Sequence, residues 1–136
     1  MDEMHPPAEL FALLARADWL VLACPLTDET RGVIDEAALA TLPAGARVIN
    51  VARGEVVDEA ALIAALQAGH VGGAYLDVFA QEPLPAESPL WDLPNVIISP
   101  HNSAVAAGNE RRATGFFLRN LQAWAKGEPM ENDASL

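Results

Sequence analysis

Four short apolar runs constrain this chain more than anything else in it: Asp18–Cys24, Arg47–Ala52, Gly73–Phe79 and Val96–Ser99. Their cores, such as Val48-Ile49-Asn50-Val51 and Ala74-Tyr75-Leu76-Asp77-Val78, are mostly apolar where a half-exposed strand would alternate. Runs of this kind suit strands buried on both faces, as in a parallel sheet covered by helices. The segments between them read as helices, which is what parallel neighbours require, because each return needs a crossover connection. The pattern predicts an α/β fold with about four parallel strands, flanking helices and a long C-terminal helix.

The helix signals are local. Pro6–Ala17 follows a Pro-Pro lead-in and sets Leu10, Leu13 and Leu14 on one face. Thr27 and Asp28 are cap-type residues before a short helical turn, and Asp35 stands before a second helix running to Leu42. Asp58 precedes Glu59–Ala68, where Leu62 and Leu66 lie one turn apart and Gly69 marks the stop. The Pro-rich stretch Glu82–Pro94 reads as irregular, with at most one turn near Ser88–Asp92. Val105–Lys126 reads as a single amphipathic helix, its Phe116, Phe117, Leu118 and Leu121 packing and Glu110-Arg111-Arg112 solvated. Trp19, Trp91 and Trp124 read as packing anchors.

Bulk properties exclude several functions. A chain of 136 residues, half of them hydrophobic, can bury a real core. A net charge of −11 argues against nucleic acid and against an anionic membrane surface, both of which need clustered Lys and Arg. Cys24 is the one cysteine, so neither a disulfide framework nor a cysteine-based metal site is expected. No His, Cys or carboxylate pair has metal-ligand spacing. The first ten residues lack the apolar stretch of a signal peptide, and no run approaches membrane-spanning length; a cytoplasmic location is the expectation.

Chemistry gathers at the strand ends. The second run closes on Asn50-Val51-Ala52-Arg53-Gly54, the third leads through Asp77 and Phe79 to Glu82-Pro83, and the fourth closes on Ser99-Pro100-His101. Ligands of open parallel sheets bind outside the carboxyl ends of the strands, so a cation, a carboxylate and an imidazole converge on one rim. Taken singly, Arg53, Glu82 and His101 each read as an ordinary loop residue; their occurrence at successive strand ends does not. An Arg fork suits a substrate carboxylate, and a His paired with a carboxylate suits proton transfer to the neighbouring carbonyl oxygen as hydride arrives. Asp77, inside an apolar run, needs a partner or a ligand. His5 and His70 fall outside this set and read as solvated.

Three motifs in order and spacing resemble the D-isomer-specific 2-hydroxyacid dehydrogenases. They are NVARGEVVDEAAL (Asn50–Leu62), DVFAQEPL (Asp77–Leu84) and NVIISPHNS (Asn95–Ser103), preceded by Cys24-Pro25-Leu26-Thr27 with Asp28-Glu29-Thr30. The resemblance implies a partial Rossmann-like fold using NAD or NADP, acting on a small 2-keto or 2-hydroxy acid. It further implies that Arg53 binds the substrate carboxylate and that His101 is the acid/base with Glu82 as its partner. Asp77 would face the nicotinamide, with the backbone of Val51, Ala52 and Arg53 alongside. Cys24, Pro25 and Thr30 would line the cofactor nearer its ribose and phosphates, and Asn102, Ser103 and Ala104 would close over the nicotinamide.

The G-x-G-x-x-G turn of that family does not occur in the sequence: Gly72-Gly73 precedes a strand instead of joining strand to helix. Residues 1–136 therefore read as the C-terminal portion of an NAD(P)-binding domain, with the phosphate-cradling half and the substrate domain absent. Two functions follow. One is a fragment of an NAD(P)-dependent oxidoreductase; the other is a non-catalytic module that senses nucleotide or completes a site with another chain. In either case Asp18–Cys24 becomes an exposed apolar sheet edge, which predicts a homodimer or other self-association.

Overall fold

A computed structural model describes residues 3–132, which divide into two units between Ser103 and Ala104. Residues 1–2 and 133–136, the outer ends of the expected domain, lie outside the described residues. In the first unit the order is α1 (Leu10–Leu14), β1 (Trp19–Leu22), α2 (Glu36–Thr41), β2 (Arg47–Asn50), α3 (Glu59–Gln67), β3 (Gly73–Leu76) and β4 (Val96–Ile98), with single 3-10 turns at Pro7–Glu9, Gly54–Val56 and Pro89–Trp91. The strands form one parallel sheet in the order β1-β2-β3-β4.

Local chemistry explains the helices. Asp35 accepts the Ala38 amide at 2.8 Å and Asp58 the Ala61 amide at 3.0 Å, each satisfying a donor that a first helical turn leaves free. Thr27 caps a single short turn, as its chemistry suggests: its Oγ1 accepts the Thr30 N–H at 3.3 Å and its carbonyl the Arg31 N–H at 3.0 Å, although no further helix follows. Its hydroxyl and amide are engaged with Thr30, whose Oγ1 donates to the Pro25 carbonyl at 2.7 Å, so 28–32 is a closed turn. The Pro6–Ala17 helix is shorter than its pattern, a 3-10 turn running into α1.

Register sets the two faces of the sheet. Leu20, Val48, Ala74 and Val96 form one row and Leu22, Asn50, Leu76 and Ile98 the next row on the same face. That face joins Leu14, Leu39, Leu62 and Leu66 in one core, where each fully buried leucine contributes about 1.5–3 kcal/mol. Val21, Ile49, Tyr75 and Ile97 form the opposite row, and Val21 and Ile97 are 57% and 66% exposed. The expected burial on both faces is thus corrected: apolar residues occupy both, but only one is packed into the core. The strand ends Leu22, Asn50, Leu76 and Ile98 fall level, so everything that follows them lies on one rim.

Trp19 and Trp91 are also more exposed than packing anchors would be. The Arg47 guanidinium sits 5.1 Å from the Trp19 ring centroid, and Trp91 donates to the Pro85 carbonyl at 2.9 Å. Among the described residues the second unit holds one helix, α4 (Asn109–Lys126), starting four residues later than its pattern suggested. Gly127 ends it at φ 71°, a left-handed position that closes the last turn onto the Ala123 and Trp124 carbonyls. None of its residues is buried: Phe117, Leu118, Leu121 and Trp124 are exposed, contrary to the packing expected for this stripe.

Candidate active site at the carboxyl rim of the sheet

Beyond β2, Asn50 shapes the first loop. Its buried amide accepts the Ala52 N–H at 3.0 Å and donates to the Arg53 carbonyl at 3.0 Å, which turns the chain and sends Arg53 outward. Gly54 follows because nothing larger fits: a Cβ there would meet the Phe79 carbonyl and the Ala80 nitrogen. The Arg53 side chain is exposed and donates once, from Nη1 to the Ala52 carbonyl at 2.6 Å. Sequence reasoning assigned no role to Asn50; a fully apolar run interrupted by one amide just before a turn was the available signal.

Beyond β3 two carboxylates take different positions. Asp77 is completely buried. Its Oδ1 accepts the Ser99 hydroxyl at 2.5 Å and the Asn102 amide at 2.9 Å, and its Oδ2 accepts the Ser103 amide at 2.9 Å. Burial alone would push this carboxyl up, but the bonds from Ser99, Ser103 and Asn102 outweigh it and hold the group well below the usual carboxylate range. Glu82 stays partly open to solvent and accepts the Phe79 amide at 3.1 Å on Oε1 and His101 Nδ1 at 2.7 Å on Oε2. The His101 bond, chiefly, lowers the Glu82 pKa; the Phe79 amide and the Arg53 charge add to this against partial burial.

An ionised Glu82 has no proton to give, so Nδ1–H is the donor, and Nε2 makes no bond among the described residues. His101 itself sits at φ 51°, in the left-handed region. Beside the pair opens a cavity of about 610 Å³, walled by Phe79, Leu84, Trp91 and Ile98.

A second depression, about 530 Å³, lies at the ends of β1 and β2 and brings Cys24 and Pro25 together with Val51, Ala52 and Arg53. Thr30 is spent on locking the Pro25 loop. Asn102 and Ser103 are held through their amides by Asp77, while Ala104 begins the second unit, where its carbonyl accepts from Asn109 Nδ2 at 2.7 Å. Neither remaining histidine joins the rim. His5 lies between Glu3 and Glu9, which raise its pKa, mainly through the Glu9 bond. His70 is partly buried and bonds the Leu39 carbonyl at 3.1 Å, so its role is structural and not solvated as expected. Among the described residues no three His, Cys, Asp or Glu side chains cluster as a metal site.

A parallel sheet with flanking helices, whose carboxyl rim carries an exposed guanidinium and a Glu–His pair, defines a Rossmann-like α/β unit. Comparison with known proteins makes this specific. Residues 2–103 match the family described as D-isomer specific 2-hydroxyacid dehydrogenase, NAD binding domain, and the chain belongs to that family. It is 47% identical over 122 residues to glyoxylate/hydroxypyruvate reductase A of Salmonella newport, an alignment covering 90% of this chain and 38% of the reductase.

Among solved structures it is similar to a D-isomer specific 2-hydroxyacid dehydrogenase from Xanthobacter autotrophicus Py2 in complex with NADPH and MES. The TM-score is 0.88 at 48% identity, over 95% of this chain and 52% of that one. It is similar also to an NADPH-dependent glyoxylate/hydroxypyruvate reductase from Sinorhizobium meliloti in complex with NADP and sulfate, at TM-score 0.89 and 36% identity, over 98% and 43% of the two chains. The chain thus spans well under half the length of the curated reductase it resembles.

Proposed function

We propose that residues 1–136 are the catalytic half of an NAD(P)-binding domain, carrying the substrate anchor and the acid/base pair of a cytoplasmic 2-keto acid reductase. The observation that carries this reading is the 2.7 Å bond from His101 Nδ1 to Glu82, on the rim that also presents Arg53. NAD or NADP, when bound, supplies or accepts the hydride. The depression lined by Cys24, Pro25, Val51, Ala52 and Arg53 fits the flat end of such a group, since its walls are small side chains and backbone at the carboxyl ends of parallel strands.

The residues of the chain do the rest. The Arg53 fork, with N–H groups to spare, pairs with the substrate carboxylate and leans on the adjacent carbonyl oxygen. His101 gives a proton from Nε2 to that oxygen on reduction and takes it back on oxidation. Glu82 keeps the ring in its Nδ1–H form and steadies the imidazolium in between. Asp77 contributes from beneath, through the turn it holds. Asn102, Ser103 and Ala104 are the chain's candidates for covering the nicotinamide, and Thr30 for keeping Cys24 and Pro25 in place.

The test uses the purified chain with NADPH and glyoxylate or hydroxypyruvate, read as NADPH oxidation, beside amide-shift mapping with NADPH and the unreactive analogue oxalate. Oxalate-dependent shifts at Arg53, Glu82 and His101, abolished by R53Q, support the reading. Shifts confined elsewhere, or turnover indifferent to both R53Q and H101Q, overturn it. Turnover in neither variant nor wild type, with those shifts present, favours the ligand-sensing module over the enzyme.

β1 is a sheet edge, and its own Trp19 and Val21 are exposed, which supports association with a second copy. Light scattering across a concentration series checks this: a mass fixed at the monomer value at every concentration refutes it.

A further inference from the structure

The rim holds two polar side chains that the acid/base reading does not use, Ser99 and Tyr75. Ser99 follows the last residue of β4, and its amide continues the sheet by donating to the Leu76 carbonyl at 3.0 Å. Its hydroxyl lies 2.5 Å from Asp77 Oδ1 and 2.7 Å from the Tyr75 hydroxyl. The direction of these bonds is fixed. Asp77 already accepts backbone N–H groups on both oxygens and acts as an acceptor, so Ser99 donates to it. A hydroxyl has one proton, so Ser99 must then accept from Tyr75. The result is a directed chain, Tyr75 to Ser99 to Asp77.

Its location gives it a purpose. His101 is held in the left-handed region, which a residue with a side chain occupies only when its surroundings impose it. Both flanks of His101 are tied to the same carboxylate: Ser99 from the N-terminal side, Asn102 and Ser103 from the C-terminal side. Pro100 between Ser99 and His101 adds stiffness, because its ring fixes φ. Without the hydroxyl the N-terminal flank would keep its sheet bond to Leu76 but lose its tie to the carboxylate, and the two amides alone would leave His101 room to relax out of its strained conformation. With Ser99 in place the loop is clamped across His101, and the ring meets Glu82 at 2.7 Å.

We propose that Ser99, oriented by Tyr75, is a positioning residue for His101: through Asp77 it clamps the loop so that the imidazole is held against Glu82 with its proton on Nδ1. The catalytic meaning of this clamp rests on the reading of His101 and Glu82 as the acid/base pair, but the clamp itself is observable without turnover.

The experiment is a long-range proton–nitrogen correlation spectrum of the histidine rings of the chain at alkaline pH, where the imidazoles are neutral. His5 and His70 serve as internal references. Wild-type His101 shows the Nδ1–H pattern. In S99A the Nε2–H form, favoured by free imidazole, becomes the major one, while His70 is unchanged. S99T restores the wild-type pattern, because it returns a hydroxyl to the same place, and Y75F gives an intermediate ratio. An S99A chain that is folded, by its amide spectrum, and keeps the wild-type His101 pattern overturns the proposal. Should S99A not fold, Y75F carries the test, and a ring pattern identical to wild type in Y75F overturns it equally. A wild-type spectrum without the Nδ1–H form would instead overturn the acid/base geometry itself, so the two failures are distinguishable.

Discussion

Replacing Asp77 by asparagine changes no volume and removes one charge, which isolates what the buried carboxylate does. The native group accepts three hydrogen bonds, two on Oδ1 and one on Oδ2. An amide has one accepting oxygen and one NH2, so in either orientation at least one backbone N–H faces another donor. Leaving a buried donor unpaired costs about 1–3 kcal/mol, and the bonds that survive weaken from charge-assisted to neutral, at about 1 kcal/mol each. The opposing effect is relief from burying a charge. In the native protein the hydrogen bonds already outweigh that penalty, since the carboxyl is held below its ordinary value of 3.8 despite complete burial. D77N is therefore expected to lower stability by about 2–4 kcal/mol in urea unfolding of the chain, without a change in m.

The same reasoning fixes a pH dependence. A group whose folded-state pKa is depressed contributes stability that is complete above its unfolded pKa and disappears as the pH falls through the folded one. The wild-type advantage over D77N should be flat above about pH 5 and shrink in acid below 3.8, where the unfolded chain protonates first. A difference under about 0.5 kcal/mol at neutral pH, or one that grows as the solution is acidified, would refute the account.

Three other perturbations separate packing, capping and pairing. G54A drives a methyl into the Phe79–Ala80 backbone and should destabilise by about 3 kcal/mol or more in the same unfolding assay, with the Arg53 amide resonance displaced. D58A removes the oxygen that accepts the Ala61 amide at the start of α3 and should cost about 1 kcal/mol, with faster hydrogen exchange confined to that first turn. H101Q removes the main cause of the low Glu82 pKa; a carboxyl NMR titration should find Glu82 shifted up toward its ordinary 4.5, and a titration unmoved from wild type would show that His101 is not its partner.

What was legible in the sequence is what is local or ordered along the chain. Asp35 and Asp58 cap the helices they precede because a cap is decided within three residues. The four strands, and the convergence of Arg53, Glu82 and His101, followed from run spacing and from the rule that parallel strands finish on one side. Long-range pairing was not legible. Nothing in the sequence says that Tyr75 meets Ser99, that His70 reaches the Leu39 carbonyl, or that Gly54 is pressed against Phe79, since each pairs residues brought together only by the fold. The uncovered row Val21, Ile49, Tyr75 and Ile97 was misread for a different reason: an apolar residue states that it favours cover and not what supplies it. Thr27 does cap the short turn its chemistry suggested, and what was not legible is that the Thr30 hydroxyl ties that turn back to the Pro25 carbonyl.

The net charge of −11 looks hostile to the anionic substrate proposed above, and the local arrangement at the rim bears on that objection. At this edge Asp77 is buried, with both oxygens covered by N–H and O–H dipoles, and Glu82 is paired with His101. Glu59 is tied through Oε2 to the Ala80 amide. Each of these carboxylates is already answered by a donor of the chain itself, whereas Arg53 gives one bond to a neutral carbonyl and keeps its full charge toward solvent. These bonds do not cancel the carboxylate charges, but they leave Arg53 as the cation at this rim with N–H groups to spare, while the more distant acidic surface is screened over about 10 Å at ordinary ionic strength. Carboxylate recognition at such a rim depends on how completely the neighbouring acids are engaged, and that is a property of Ser99, Asn102, Ser103 and His101 as much as of Arg53.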